Sequence, residues 1–286
     1  MPIYTLTNIP SMRAQRYLGI AQRVLNITLE RLSSGKRINR AQDDAAGLLL
    51  VTRFTKSIQA WETGGNNLRM GLDLLSTADS FTSIILEDLH RLNELANQAN
   101  NGLLSDDERE LLNMEFREIV PEIQRLALNT RFLGKTLLTG SLAVNVQAGE
   151  GASNVVSVVI RWMSGGAGSG GLTIGGNGLN ISALSIGTAS EALSTLQSLS
   201  LYAFPRITNF MANIGAQAAA FTKSVDATDA LVENLISSRG RIENADLAKE
   251  TTNLTNYQIV VQSGISALVQ ANAAQTLALA LLGGGA

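Results

Sequence analysis

Leu32-Ser-Ser-Gly-Lys-Arg-Ile-Asn-Arg-Ala-Gln-Asp-Asp-Ala-Ala-Gly-Leu48 lies between two apolar, helix-periodic stretches, and its reading decides how the chain is organised. Three basic residues (Lys36, Arg37, Arg40) precede two carboxylates (Asp43, Asp44). Such a segment joins elements. Its charges admit two readings, a solvated connector whose charges pair with neighbours or a ligand site. Acid and base catalysis by the Asp43-Asp44 pair is disfavoured, because adjacent helical residues project about 100° apart and no histidine lies nearby.

Working outward, Leu18, Ala21, Leu25, Leu29 and Leu32 recur at three-and-four spacing, which puts them on one helical face. Gln22, Arg23, Asn26 and Glu30 occupy the other side, and Gly35 is a stop signal because glycine tolerates a left-handed cap. After Arg53-Phe54 a second helical pattern runs through Leu68, Leu72, Leu75, Ala78, Ile85, Leu89, Leu92 and Ala99 to Asn100-Asn101-Gly102. Some thirty residues of helix span about 50 Å at ~1.5 Å per residue, long for a globular domain.

Ser105-Asp106-Asp107-Glu108 predicts a capping box opening a third helix, with Leu112, Phe116, Ile119, Ile123 and Leu126 as its apolar face. Pro121 interrupts that face and predicts a kink or a restart, since an interior proline costs about 3 kcal/mol. The period then changes. Leu142 to Gln147 alternates, Gly149 to Asn154 reads as a turn, and Val155 to Ile160 is β-branched, so a β-hairpin is expected within about 136–185. The Gly-rich tract from Ser164 to Gly178 lacks the Gly-Lys-Ser/Thr of a phosphate loop and reads as a flexible loop.

Ile214, Ala218, Phe221, Val225, Thr228, Val232 and Leu235 form a heptad seam, whose helix Pro205 is expected to limit on its amino side. The last pattern keeps one heptad column, Leu247, Leu254, Val261, Leu268, Gln275 and Leu282, flanked by small or polar residues. One narrow column is too little to bury a helix alone. The economical arrangement pairs the two chain ends with each other and covers their remaining apolar face with further copies of the chain. The expected fold is mainly α, a long antiparallel coiled-coil rod of amino- and carboxyl-terminal parts with a small β-hairpin region in the middle.

Composition narrows the function. Aromatics are 5% of 286 residues, and 22 basic against 24 acidic residues leave a net charge of -2, which excludes the basic footprint of a nucleic-acid binder. With no cysteine and a single histidine, His90, thiolate or histidine metal sites and a histidine-based triad are hard to assemble, and no cofactor is implied. The amino end lacks the pattern of a cleavable secretory leader, and the apolar run 267–282 is broken by polar residues, so membrane insertion is not expected. Arg91, Glu94, Glu108, Glu115, Glu118, Glu122 and Arg125 read as the solvated side of long helices. Asn-x-Ser/Thr matches at Asn26, Asn180 and Asn253 are weak glycosylation signals, Asn26 and Asn253 falling in predicted helices.

Leu32-Ser-Ser-Gly-Lys-Arg-Ile-Asn39, Ala41, Asp43-Asp-Ala-Ala-Gly-Leu48 and Arg53-Phe54 closely resemble the amino-terminal signature of bacterial flagellins. The carboxyl end agrees independently through Ser238-Arg-Gly-Arg-Ile-Glu-Asn-Ala-Asp246, Ala248, Glu250, Gln258-Ile259, Gln262, Ser266, Leu268, Gln270-Ala-Asn272 and Leu281-Leu282. Asn129-Thr-Arg-Phe132, Gly134-Lys135 and Leu137-Leu138 are similar to the family's approach to its hairpin. The likeness covers roughly 1–160 and 185–286, without the large outer domain that many flagellins carry. Departures are Pro121, Leu133 where an Asn is usual, and Gln217-Ala-Ala-Ala-Phe221 where an Asn-Arg pair is common.

The resemblance implies a secreted, extracellular structural subunit of the flagellar filament, polymerising with itself for motility, and no enzyme. Residues 1–45 with 238–286 would form the helical inner core, ordered on assembly, and 46–237 the rod-shaped outer tube with its hairpin. The amino end would carry the signal for the flagellar export apparatus, an export chaperone would shield the carboxyl-terminal helix, and a filament cap and hook-junction proteins would be further partners. Lys36, Arg37, Arg40, Asp43, Asp44 and Arg53 would act at the spoke and between subunits. Leu18, Ala21, Leu25, Leu29, Leu32, Leu247, Leu254, Val261, Leu268 and Leu282 would form the core helix seam. Arg91, Leu95 and Glu115 fall where some flagellins meet a host Toll-like receptor. Other readings are a hook-filament junction protein, which usually lacks the Asp-Asp-Ala-Ala-Gly-Leu run, a filament-borne enzyme, disfavoured by the lack of a catalytic insert between Gly140 and Ser190, and a soluble coiled-coil adaptor.

Overall fold

The structure, a computed structural model, describes residues 7–139, 142–160, 179, 181 and 184–283. The Gly-rich tract 164–178, Asn180, the first six residues and the side chain of Leu282 lie outside the described residues. The chain is mainly helical, with a small antiparallel strand region in its middle. It divides into two units, Met1–Lys56 with Asn234–Ala286, and Ser57–Glu233.

In the first unit, α1 (Ile9–Ser34) is opened by Asn8, whose side-chain oxygen accepts a 3.0 Å hydrogen bond from the Ser11 amide, and closed by Gly35 at φ 68°. The expected stop is therefore a left-handed glycine cap. α2 spans Ala45–Ala99 and begins well before Arg53-Phe54, where the apolar periodicity alone placed it. The reason is local: the Asp44 carboxylate accepts a 2.8 Å bond from the Gly47 amide and caps a helix that starts in the polar segment.

In the second unit, α3 (Asp106–Asn129) opens with the expected reciprocal capping box of Ser105 and Glu108. It runs without restart through Pro121. Pro121 and Arg117 are both exposed, so the hydrogen bond that the proline removes lies on the exposed side of the helix. Two strand pairs follow, β1 (Arg131–Phe132) with β2 (Lys135–Thr136), and β3 (Leu142–Gln147) with β4 (Val155–Ile160), both antiparallel. The second is the hairpin read from the sequence.

α4 (Ala189–Ser198) passes through a π-helical turn, Leu199–Ala203, into α5 (Phe204–Glu243). α5 therefore begins beside Pro205, as the sequence reading expected, although a π-helical turn leads into it. The Phe204 amide bonds back five residues to the Leu199 carbonyl, and this wider turn makes room for a ring that cannot donate. The core draws Leu68, Leu75, Leu89 and Leu92 from α2, Phe116 and Ile123 from α3, Val158 and Ile160 from β4, and Phe210, Ile214 and Phe221 from α5. Each such side chain contributes roughly 1.5–3 kcal/mol of burial.

Two departures noted in the sequence acquire structural roles. Leu133 and Gly134 are the central residues of the β1–β2 turn, with φ 47° and 80°. Positive φ at both positions belongs to turns that favour Asn-Gly, because Asn tolerates the left-handed region and a branched aliphatic does not. Gln217 on α5 grips β4 from the side: its Oε1 accepts from the Val159 amide at 2.8 Å, and its Nε2 donates to the Val159 carbonyl at 2.7 Å. Urea unfolding should show Leu133→Asn raising stability by about 1 kcal/mol through relief of left-handed strain. The same measurement should show Gln217→Ala lowering it by about 1–2 kcal/mol, because both Val159 backbone groups lose their partner.

Candidate functional site

Gly35 to Asp44, the non-helical part of the polar segment, closes against the junction between α5 and α6 (Leu247–Gly283) within the first unit. The Arg37 amide donates to the Glu243 carbonyl at 2.7 Å and the Ala245 amide to the Gly35 carbonyl at 2.9 Å, a one-residue antiparallel bridge centred on Lys36 and Asn244. Side chains reinforce it. Lys36 Nζ lies 2.5 Å from Glu243 Oε1, and Arg37 donates to the Ile242 carbonyl at 2.9 Å. Ile38 is buried beneath the turn.

The carboxylates work locally. Asp43 Oδ2 accepts backbone bonds from Asn39 at 3.1 Å and Arg40 at 3.0 Å and so folds the turn, while Asp44 caps α2 and stands 3.9 Å from Arg37. Arg40 turns back to Glu30 at 3.1 Å. The basic residues thus find Glu243 and Glu30, partners that the sequence reading did not name. A contact between Lys36 and Glu243, distant in sequence, carries no signal in local spacing. Arg53 is exposed on α2, with no ion-pair partner among the described residues.

α1 and α6 pack antiparallel. Asn8 donates to the Ala271 carbonyl at 3.1 Å, Leu18 lies against Gly264, and Arg31 reaches Glu250 at 3.6 Å. On α1 the inward row is Ser11, Ala14, Leu18, Ala21, Leu25, Thr28 and Leu32. On α6 it is Glu250, Leu254, Tyr257, Val261, Gly264, Leu268, Ala271 and Gln275. Leu29 (45% exposed) and Leu247 (53% exposed) stand outside these rows. Thr28 takes the place of Leu29, because the two helices mesh on a strict three-four step that admits small and polar side chains. A reading weighted to large apolar residues passes over the second α6 column, Glu250, Tyr257, Gly264 and Ala271.

In the second unit, Arg91 bonds Glu115 at 2.8 Å and Glu94 at 3.1 Å, and these carboxylates hold its guanidinium above its ordinary pKa. Leu95 is fully buried in the core, so its side chain does not share that surface with them. Its spacing from Leu92 and Ala99 puts it on the inward side of α2. His90 is exposed, with its ring 4.9 Å from Phe204. No group of three or more His, Cys, Asp or Glu side chains converges among the described residues.

The two backbone bonds hold the Asp43 carboxyl below its ordinary value of 3.8. A lowered folded pKa means stability present above the ordinary value and lost as pH falls through the lowered one. Carbon-13 NMR titration of the Asp43 carboxyl should give a midpoint under 3.8, and the Asn39 and Arg40 amides should lose hydrogen-exchange protection over the same window. A midpoint at or above the ordinary value would contradict the turn geometry.

Comparison with known proteins adds to this geometry. Residues 5–143 match the bacterial flagellin N-terminal helical region and residues 202–282 the bacterial flagellin C-terminal helical region. A flagellin of Listeria innocua is 33% identical over 273 residues, covering 93% of this chain and 94% of the relative. Flagellin FlaB2 of Treponema pallidum is 31% identical over 290 residues, covering 96% of this chain and 98% of the relative. A crystal structure of Bacillus cereus flagellin aligns with 57% of this chain and 88% of that one, at TM-score 0.48 and 20% identity. Matched in both terminal regions and about a third identical to relatives along nearly its whole length, the chain belongs to the bacterial flagellin family.

Proposed function

We propose that the outward apolar sides of α1 and α6 are the surfaces through which this flagellin, a structural subunit of the extracellular flagellar filament, contacts neighbouring copies of itself. One observation carries the reading. Beyond the row each helix buries against the other, Tyr17 (70% exposed), Met12 and Ile20 on α1 and Ile259 (61% exposed), Val260 and Val269 on α6 remain open. Helices apolar on more than one side belong in an interior. A polymer supplies that interior through heterologous contacts, which do not close on themselves.

In this reading residues 1–45 with 238–286 form the inner core and 46–237 the outer tube. Exposed Arg53 is available to a carboxylate of an adjacent subunit. Family membership supports passage through the export apparatus, a chaperone on α6, and contacts with cap and hook-junction proteins. Contact with a host Toll-like receptor would use Arg91 and Glu115 without the buried Leu95. No catalytic step is part of the proposal.

Electron microscopy of the seeded full-length chain should show filaments. Deleting 1–40 and 246–286 should leave a core that circular dichroism shows to be folded but that does not polymerise. Polymerisation of the truncated chain would refute the role given to the ends.

A further inference from the structure

The rows that meet between α1 and α6 repeat every seven residues, with Leu18, Leu25 and Leu32 facing a column of Leu254, Val261 and Leu268. Apolar contact of this kind selects a partner poorly: sliding one helix by seven residues re-forms most of it. The backbone bridge between Gly35–Arg37 and Glu243–Ala245 fastens the end of α1 to the start of α6, and because the residues on either side are helical it forms only at that junction. Beyond that junction, register along the helices is held by a side chain that tolerates one position only.

Arg31 and Glu250 have that character. Glu250 is 7% exposed, its carboxylate lies 3.6 Å from the Arg31 guanidinium, and Asn253 donates to it at 3.4 Å. Arg31 Nε is itself buried without a hydrogen-bond partner, and Asp43 is a second carboxylate within electrostatic reach of Arg31. The placement has a direction as well. Arg31 sits in the last turn of α1 and Glu250 in the first turn of α6, where the helix ends favour a cation and an anion respectively.

We propose that Arg31 and Glu250 are a register pin for the terminal helix pair. A heptad slip takes the Glu250 carboxylate away from the Arg31 guanidinium that it meets in the native pairing, which disfavours the slipped state. Resting on the assembly reading above, this makes the pair a positioning device. Only the pinned register presents the outward rows of α1 and α6 in the arrangement that neighbouring copies meet.

Register can be read by disulfide trapping in the full-length chain, which has no cysteine of its own. A Cβ at position 264 would lie 3.9 Å from the Leu18 Cβ, within the ~3.5–4.5 Å that a disulfide spans. Leu18→Cys with Gly264→Cys therefore reports the native register, and Leu18→Cys with Tyr257→Cys or Ala271→Cys reports a slip of seven residues either way. The native bond should dominate in the otherwise unaltered chain. Arg31→Glu should lower the ratio of native to slipped bond at least about tenfold, and the near-isosteric Glu250→Gln should lower it less. The reversed pair Arg31→Glu with Glu250→Arg should recover most of it, with a deficit because each charge then opposes its helix end.

A ratio unchanged by both single variants, or a loss that the reversed pair leaves uncorrected, overturns the pin. So does failure of the 18/264 bond to close in the otherwise unaltered chain. Filament formation is scored separately: polymerisation of the truncated chain refutes the assembly surface whatever the crosslinks report, and an unchanged crosslink ratio refutes the pin whatever the polymer does.

Discussion

A helix that is apolar on two sides needs two partners, and α1 and α6 each supply the other with only one. That constraint governs the first unit. Their shared rows are mostly Leu, Val, Ala, Gly, Ser and Thr, with Glu250, Tyr257 and Gln275 on α6, so the helices mesh closely while burying modest area. Neither carries enough apolar surface inward to stand alone, and both keep large side chains outward. Such a pair is suited to joining a larger packing of like helices.

The polar segment explains how the chain arrives at this pairing. Its charges, which could have been a ligand site, are spent on folding the segment: Asp43 closes a turn, Asp44 starts α2, and Lys36, Arg37 and Arg40 fasten it to α5 and α1. Exposed pairs of this kind contribute little individually, ~0–1 kcal/mol. Their effect is geometric, since the backbone bridge at Lys36 and Asn244 determines where α6 begins its run beside α1.

The second unit follows a different logic. There a continuous core fed by α2, α3, β4 and α5 absorbs irregularities that would break a solitary helix. Pro121 is carried on an exposed side, Pro205 behind a π-helical turn, and Leu133 in a left-handed turn position that Asn would fill with less strain. Tertiary packing overrides local preference when the burial gained exceeds the local cost.

Several features were legible from the residues alone because their causes are local. The Gly35 cap, the Ser105 and Glu108 capping box, the β3–β4 hairpin and the heptad row of α5 each depend on side chains a few positions apart. The Leu32–Leu48 signature likewise pointed to the family. What only the tertiary structure decided is which residues far apart in sequence meet. Glu243 for Lys36, Glu250 for Arg31, Gln217 for Val159, the inward place of Thr28 over Leu29, and the burial of Leu95 all lie beyond local spacing. Periodicity assigns a residue to one side of a helix, but only the partner helix determines which of two adjacent residues turns inward and which charge stands opposite it.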